Sequence, residues 1–366
     1  MKKEAVPLVV MLLIFMIISC GKTNDNPVPQ DNPVTQYVGW AIGMDANATP
    51  VIVHTADSGL TWQVQGDWSA WTGLAGFDIS AVDDQTAWAA IGSGSTDTRG
   101  YILHTTDGGA TWVTQTIPAG LVGGIKGVKG VSRNEAWAAS LGGIILHTTD
   151  GGATWNVVLQ SAAPITQVNR MDVIGTNVWI ADAAIGGAVV HTQDGGLTWR
   201  AEYLPNGDSP LTVHAFSPLA VWGSVSERKN ATFYRTVNGG DLWAEVILVG
   251  ARDHLDDVCA ASPDDAWGVM NGLSVSGKIW RVHVSADGIP EAKDVSPPEL
   301  TGYTPGGITC MDNSVAWVVA KKGGGPPDPT KPSGIILHTV DGEHWVQQTA
   351  PTQISYWKVS FVGARR

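Results

Sequence analysis

Short apolar runs recur along the chain from about residue 37 onward, each bounded by glycine, proline, aspartate or asparagine. One repeating unit contains an apolar strand, a strand with Ala-Trp near its start, a segment reading Ile-Leu-His-Thr, and a turn of the form Thr-x-Asp-Gly-Gly-x-Thr-Trp. No helical period separates one copy from the next. Apolar runs of this length between turn residues predict β-hairpins, repeated through the chain.

The tryptophan of the Ala-Trp strand shows the length of one repeat. It recurs at spacings of 48, 49, 42, 43, 45 and 50 residues, at Trp40, Trp88, Trp137, Trp179, Trp222, Trp267 and Trp317. Spacings near 45 residues are typical of a four-stranded propeller blade. The sequence therefore predicts an all-β fold, a seven-bladed β-propeller of four-stranded antiparallel blades.

The two ends of the repeat array predict how the ring closes. The first copy begins at Tyr37 and lacks the strand that precedes the tryptophan in the other copies, whereas residues 355–362 form a strand with no repeat after it. Placing that C-terminal strand beside the first repeat completes seven blades and removes the open sheet edges.

The turn residues have a structural explanation. Paired glycines supply positive φ in a tight turn, the acidic residue accepts backbone hydrogen bonds, and the tryptophan adds buried apolar area. The turn decays in the fifth copy and nearly vanishes around Asp287 in the sixth. The residues to which we assign this structural role are Asp57, Asp107, Asp150, Asp194, Asn238 and Asp341, with Trp62, Trp112, Trp155, Trp199, Trp243 and Trp345.

The N-terminal segment predicts export. A positive start, an apolar run from Val6 to Ile18 and a small residue before Cys20 have the features of a signal peptide, and the run is too short to span a bilayer. The four residues ending at Cys20 resemble a bacterial lipobox, which implies cleavage before this cysteine and its acylation; an ordinary signal peptide is the alternative. We expect a signal peptide at 1–19, a flexible tether at 20–36 and the propeller at 37–366.

The net charge limits the classes of partner, and two cysteines raise the question of a disulfide. The formal net charge is −12, and removing residues 1–19 makes it −13, which argues against nucleic acid as the main partner. A disulfide between Cys259 and Cys310 is conceivable in an exported protein, but we expect two buried free thiols, since the sequence does not fix their separation.

Two turns, residues 106–112 and 149–155, resemble the Asp-box, also called the bacterial neuraminidase repeat. Blade length and the Ala-Trp and His-Thr pattern are most similar to the photosystem II assembly factor propellers and their bacterial relatives. This resemblance implies a non-catalytic scaffold that binds other proteins. The chain departs from those factors in being acidic without a concentrated arginine patch, so the fold is carried over and the photosystem partner is not.

An enzyme is the alternative, because sialidases and some endoglucanases carry Asp-boxes. The sialidase Arg-Ile-Pro signature is absent, and acids such as Asp253, Asp256, Asp257, Asp264 and Asp265 would have to supply a glycosidase pair. Histidines recur before the turns in different blades, so they are not expected to converge on a metal. We assign no catalytic residue, metal or cofactor. The histidines are His54, His104, His147, His191 and His338.

Insertions indicate the binding face, since they map to loops that share a face with the connections between blades. Exposed aromatic residues beside basic groups there would stack on a sugar or anchor a protein; the alternative is a variable solvated surface with tryptophans packed between blades. The candidate residues are Trp68, Trp71, Arg99, Arg228, Lys229, Arg252, His254, Tyr303, Lys321 and Lys322.

The expected function is therefore a monomeric, lipid-anchored scaffold of the bacterial cell envelope, on its periplasmic side or at the cell surface, that binds an envelope or secreted protein. The alternative is a propeller that binds or hydrolyses carbohydrate, with a glycan as the partner.

Overall fold

The computed structural model describes residues 36–93, 99–121, 124–159, 168–183, 187–225, 230–248, 255–271, 277–323 and 333–363. These residues form seven four-stranded antiparallel sheets, which confirms the predicted propeller. In this part of the chain the helices are three single 3-10 turns at Ser69–Trp71, Pro205–Gly207 and Pro298–Leu300, and no helix is long and apolar enough to cross a membrane.

The strands are numbered in chain order, and each blade is given from its first strand outward. Blade 1 contains β28 (Ser355–Gly363), β1 (Tyr37–Met44), β2 (Pro50–Thr55) and β3 (Gln63–Gln65). Blade 2 contains β4 (Ala75–Ala81), β5 (Ala87–Gly92), β6 (Gly100–Thr105) and β7 (Val113–Thr114). Blade 3 contains β8 (Ile125–Gly130), β9 (Ala136–Ser140), β10 (Ile145–Thr148) and β11 (Asn156–Leu159). Blade 4 contains β12 (Val168–Ile174), β13 (Asn177–Asp182), β14 (Val189–Thr192) and β15 (Arg200–Glu202).

The remaining three blades repeat the arrangement. Blade 5 contains β16 (Pro210–Ala215), β17 (Val221–Val225), β18 (Thr232–Thr236) and β19 (Ala244–Ile247). Blade 6 contains β20 (Leu255–Ala260), β21 (Asp265–Met270), β22 (Lys278–Val284) and β23 (Pro290–Asp294). Blade 7 contains β24 (Tyr303–Cys310), β25 (Ala316–Lys322), β26 (Gly334–Thr339) and β27 (Val346–Gln347). Each first strand packs against the first strands of both neighbouring blades, so seven inner strands surround a central channel.

The predicted strand exchange closes the ring. Strand β28 pairs antiparallel with β1, from Tyr37 opposite Gly363 to Met44 opposite Ser355. Blade 1 is thus built from both ends of the repeat array, and the inner edge of β1 is covered instead of open to other chains.

The core consists of layers between blades. All seven blade tryptophans are at most 1% exposed. Burying an aromatic side chain of about 150–250 Å² contributes roughly 4–6 kcal/mol before entropy is subtracted. In five blades the tryptophan lies against the histidine that faces it on the third strand, as in Trp88 and His104, whose ring centroids are 3.6 Å apart. In blades 5 and 6 an arginine takes the place of this histidine.

The Asp-box turns follow the third strands. In blade 2, Asp107 accepts bonds from the hydroxyl of Thr105 at 2.8 Å and from the backbone and hydroxyl of Thr111 at 2.9 and 2.6 Å. The same bonds recur in blades 1, 3 and 4. Hydrogen bonds from Thr154 lower the pKa of Asp150 to about 2.

Three blades vary this turn. In blade 5, Asn238 accepts bonds from Thr236 and the Leu242 backbone. In blade 7, Asp341 accepts bonds from the backbone and imidazole of His344, which lower its pKa. In blade 6 the third and fourth strands are joined by a turn centred on residues 285–289, without the Asp-box bonds.

Cys259 and Cys310 form a disulfide, so the expectation of two free thiols is wrong. The two residues lie on β20 and β24, the inner strands of blades 6 and 7, with their Cα atoms 6.0 Å apart. Adjacent inner strands converge at the channel, and this brings together two cysteines that are 51 residues apart in sequence. Sequence spacing alone does not reveal that convergence.

Candidate functional site

Every inner strand contains a bulge at the same level of the channel. In each, the pairing with the second strand of the blade skips one residue. A bulge leaves one residue outside the ladder and redirects its side chain. All seven skipped residues are partly exposed and line one cavity at the channel mouth. This bulge ring consists, in order around the channel, of Trp357, Phe77, Lys126, Asn169, Leu211, Asp256 and Gly306.

The cavity inside the bulge ring has a volume of about 440 Å³. It opens on the face that carries the connections between blades and the loops after the second strands, opposite the Asp-box turns. Gly306 leaves a gap in the ring: a Cβ at this position would lie 2.9 Å from the carbonyl oxygen of Trp357, too close for any other residue without a shift. The glycine lets blade 7 approach the closing strand.

One side of the mouth is aromatic and cationic. The Phe77 and Trp357 rings meet edge to face with centroids 6.4 Å apart. The Lys126 Nζ lies 3.4 Å from the centroid of Phe77, and the Lys321 Nζ lies 4.9 Å from that of Trp357. These four residues, which we call the cationic arc, come from four successive blades.

The mouth is basic within an acidic chain. Among the described residues, Lys126, Arg170, Lys321 and Lys358 line the cavity together with one carboxylate, that of Asp256. Burial, together with the nearby Arg170 guanidinium, lowers the pKa of Lys126 to about 8. The overall charge of −12 therefore misrepresents the sign of this site.

Below the mouth, charged side chains fill the channel. The Lys358 Nζ lies 2.5 Å from Asp257, and the Arg170 Nε lies 3.9 Å from the same carboxyl group. Burial raises the pKa of Asp78, which lies in this layer. Burial and the neighbouring Arg170 lower the pKa of Lys358. Lys358 and Arg170 thus both lie close to a carboxyl group beneath the mouth.

A deeper layer repeats the pattern. The Lys129 Nζ lies 2.7 Å from Asp172, which in turn is 3.9 Å from His214. Burial opposes both charges of the lysine and aspartate pair, but their attraction raises the pKa of Lys129 and lowers that of Asp172. Burial lowers the pKa of His214.

These polar groups also connect neighbouring blades. Asp78 accepts a bond from the Val128 backbone across the boundary of blades 2 and 3, and Asp257 accepts one from the Ile308 backbone across that of blades 6 and 7. Asp172 does the same for blade 5. The carboxylates therefore hold the inner strands together as well as neutralising the cations.

This arrangement supports binding. Asp257 is engaged by Lys358 and by the backbone, and Asp265 contacts His283 at 2.9 Å, so these acids already have structural partners. Among the described residues, no group of three or more histidine, cysteine, aspartate or glutamate side chains is placed to hold a metal ion.

Part of the predicted binding face lies at the channel mouth. Lys321 joins the cationic arc, and Lys322 follows it, partly buried. Trp68 is 7% exposed, with its ring 6.4 Å from Trp112, and Trp71 meets Tyr101 edge to face at 4.7 Å. The alternative of tryptophans packed between blades thus describes Trp68.

Other candidates are separate from the mouth or cannot be placed. Tyr303 is 4% exposed and belongs to the core between blades 6 and 7. Arg99 is exposed on its loop. Arg228, Lys229, Arg252 and His254 lie outside the described residues, as does the predicted lipidation site Cys20.

The binding face predicted from the sequence contained none of the bulge ring, and Asp256 was named only as an acid for the glycosidase alternative. A signal was present: the bulge residue precedes the blade tryptophan by eleven residues in five blades, as Phe77 precedes Trp88, and by ten in blade 4. Aligning the repeats on this tryptophan would have placed these residues at one level. The bulge itself has no marker, because the residue types at this position differ in every blade.

The fold and the mouth define a seven-bladed Asp-box propeller with a preformed polar cavity. The family model for the photosynthesis system II assembly factor YCF48 matches residues 72–362. The chain belongs to this family. A search of curated proteins found no significant match.

Solved structures agree on the fold. A YCF48 protein bound to a D1 peptide is 16% identical with a TM-score of 0.62, over 83% of this chain and 90% of that one. YCF48 from Cyanidioschyzon merolae is 15% identical with a TM-score of 0.58, over 85% and 97%. At these identities the likeness concerns the fold alone.

Proposed function

We propose that this chain is a non-catalytic protein-binding propeller of a bacterial cell envelope, which binds a segment of a partner protein at the channel mouth. The observation that carries the proposal is the bulge ring, where seven blades each direct one chemically different residue into one cavity of about 440 Å³. A preformed concave site with polar groups at fixed positions is suited to selective binding.

Two further points support a protein as the ligand. The family is one of assembly factors, and one of its solved members is bound to a D1 peptide. In addition, Trp357 and Phe77 lie side by side at the mouth, and aromatic residues are frequent anchors at protein interfaces. The partner we propose is an envelope or secreted protein, because residues 1–20 predict export and lipidation.

The experiment is site-specific photocrosslinking of the full chain in cells. A photoreactive phenylalanine analogue replaces Leu211 in the bulge ring or, as the control, Leu197, which is 85% exposed on the Asp-box face. We expect a discrete protein adduct from position 211 only, identified by mass spectrometry and then shown to bind as a purified protein. Equal adducts from both positions would contradict the proposal.

The carbohydrate alternative has its own measurement. The full chain, purified in detergent, is applied to a glycan array and to chromogenic glycosides. We expect neither binding nor turnover, since the acids that flank the channel are engaged in ion pairs and backbone bonds. Saturable glycan binding abolished by Trp357→Ala would replace the protein partner with a sugar.

The anchor is tested separately. Replacing Cys20 with serine is expected to abolish incorporation of a labelled fatty acid into the chain, with the propeller itself intact. Incorporation of the fatty acid into the Cys20→Ser chain would contradict lipidation at this residue.

A further inference from the structure

We infer that the channel mouth selects an acidic peptide segment in which carboxylate side chains flank an apolar one, and that Lys126 and Lys321 are the residues that select it. This inference rests on the proposed function and adds the chemistry of the partner segment. It concerns internal side chains of the partner and requires no chain terminus.

The first argument is that the cations of the mouth are not equivalent. Lys358 pairs with Asp257 in the layer below, and the Arg170 Nε lies 3.9 Å from the same carboxyl group. Lys126 and Lys321 make no ion pair within the part of the chain that the structure describes, and each lies over an aromatic ring instead. A cation held against a ring still attracts an anion, because the ring does not neutralise its charge.

The second argument is the geometry of the cationic arc. The separations of 3.4, 6.4 and 4.9 Å place the two ammonium groups no more than about 15 Å apart, with the Phe77 and Trp357 rings between them. An extended peptide advances about 3.3 Å per residue, so carboxylates up to about four residues apart would reach both lysines. The residue between them would lie over the rings, which favours an apolar side chain.

The third argument is the sign of the local charge. An acidic segment would be repelled by the net charge of this chain, which is −12, and attracted by Lys126 and Lys321 at the mouth. Local charge opposite to the surroundings directs an acidic ligand to one place and disfavours other placements. Asp256, the one acid among the described residues that line the cavity, lies on blade 6, outside the cationic arc.

The test uses a random 12-residue peptide library displayed on messenger RNA and selected against the full chain in detergent. The most enriched peptide is then synthesised with both termini blocked, together with a version in which glutamate and aspartate become glutamine and asparagine. We expect the enriched peptides to be acidic and the neutral version to bind at least tenfold more weakly.

The protein variants assign the effect to residues. Lys126→Met and Lys321→Met keep much of the apolar stem and are each expected to weaken the acidic peptide about threefold to tenfold, or about 0.6–1.4 kcal/mol. Lys293→Met is the control, because Lys293 lies on the outer strand β23 and pairs with Glu343. Its affinity is expected to be unchanged.

The outcomes separate the two proposals. Enriched peptides that are neutral or basic, or that bind Lys126→Met and Lys321→Met as tightly as the native chain, would overturn the selection of acidic segments and leave a protein-binding mouth in place. No selected peptide at all, with the same library yielding binders to a control propeller, would count against both.

Discussion

The disulfide between blades 6 and 7 offers a quantitative test of the fold. We expect Cys259→Ala, Cys310→Ala and the double variant each to lose the covalent link between β20 and β24. Blade 6 lacks the Asp-box bonds, and its inner strand is joined to blade 7 by this link in addition to the Asp257 contact.

The expected loss of unfolding free energy follows from the sequence separation of 51 residues between the cysteines. Closing a loop of that length in the unfolded chain lowers its entropy by an amount worth about 4 kcal/mol at room temperature, and measured values for disulfides are typically about 2–4 kcal/mol. Because either single replacement already breaks the link, the three variants should lose nearly the same amount, and the single effects should not add.

The assay is urea unfolding followed by circular dichroism, for the native chain and the three variants, each with and without dithiothreitol. Reductant should destabilise the native chain by about the same 2–4 kcal/mol and should leave the variants unchanged. Alkylation of the unreduced, unfolded chain with mass mapping reports the bond directly. Small, additive effects of the single variants, or alkylation of both cysteines without reductant, would refute the reasoning.

Three further predictions concern the channel, the turns and the ring. Lys358→Met leaves Asp257 buried without its main cation and should cost about 3–5 kcal/mol in urea unfolding, whereas Lys293→Met, at an exposed pair, should cost less than about 1 kcal/mol; equal losses would contradict a buried pair. The pKa of Asp150 is lowered to about 2, so the stability it contributes is present above the unfolded value near 4 and is lost as the pH falls toward 2; Thr154→Val should move acid unfolding to higher pH, and an unchanged acid midpoint would argue against the bond. Deleting residues 355–363 should yield an aggregating, protease-sensitive chain, whereas deleting only 364–366 should not; a monomeric, resistant chain after the larger deletion would show that β28 is dispensable.

Most of the fold could be predicted from the sequence because the repeat unit recurs in each blade. The positions of the blade tryptophans required four-stranded blades, and the unmatched strand at each end of the array required closure between them. Both inferences depend on a periodic signal that each blade repeats, so an irregular blade such as the sixth does not weaken them.

The mouth was harder to predict because it depends on where the blades differ. Lys321 was found through an insertion after its strand, but Phe77, Lys126 and Trp357 lie within strands whose pattern appears ordinary. Their common level follows from a bulge, and a bulge is a property of pairing between two strands. The disulfide was missed for a related reason, since strand convergence at the channel fixes its geometry.

The pairing of β28 with β1 also sets the order of events during synthesis. At roughly 5–20 residues per second, a ribosome takes about 15 to 60 s to proceed from residue 37 to residue 355. Throughout this interval β1 has its inner edge unpaired, and it is an apolar strand with six of its eight residues buried in the finished ring. Until the final strand arrives, the inner edge of this strand is open to pairing with other chains.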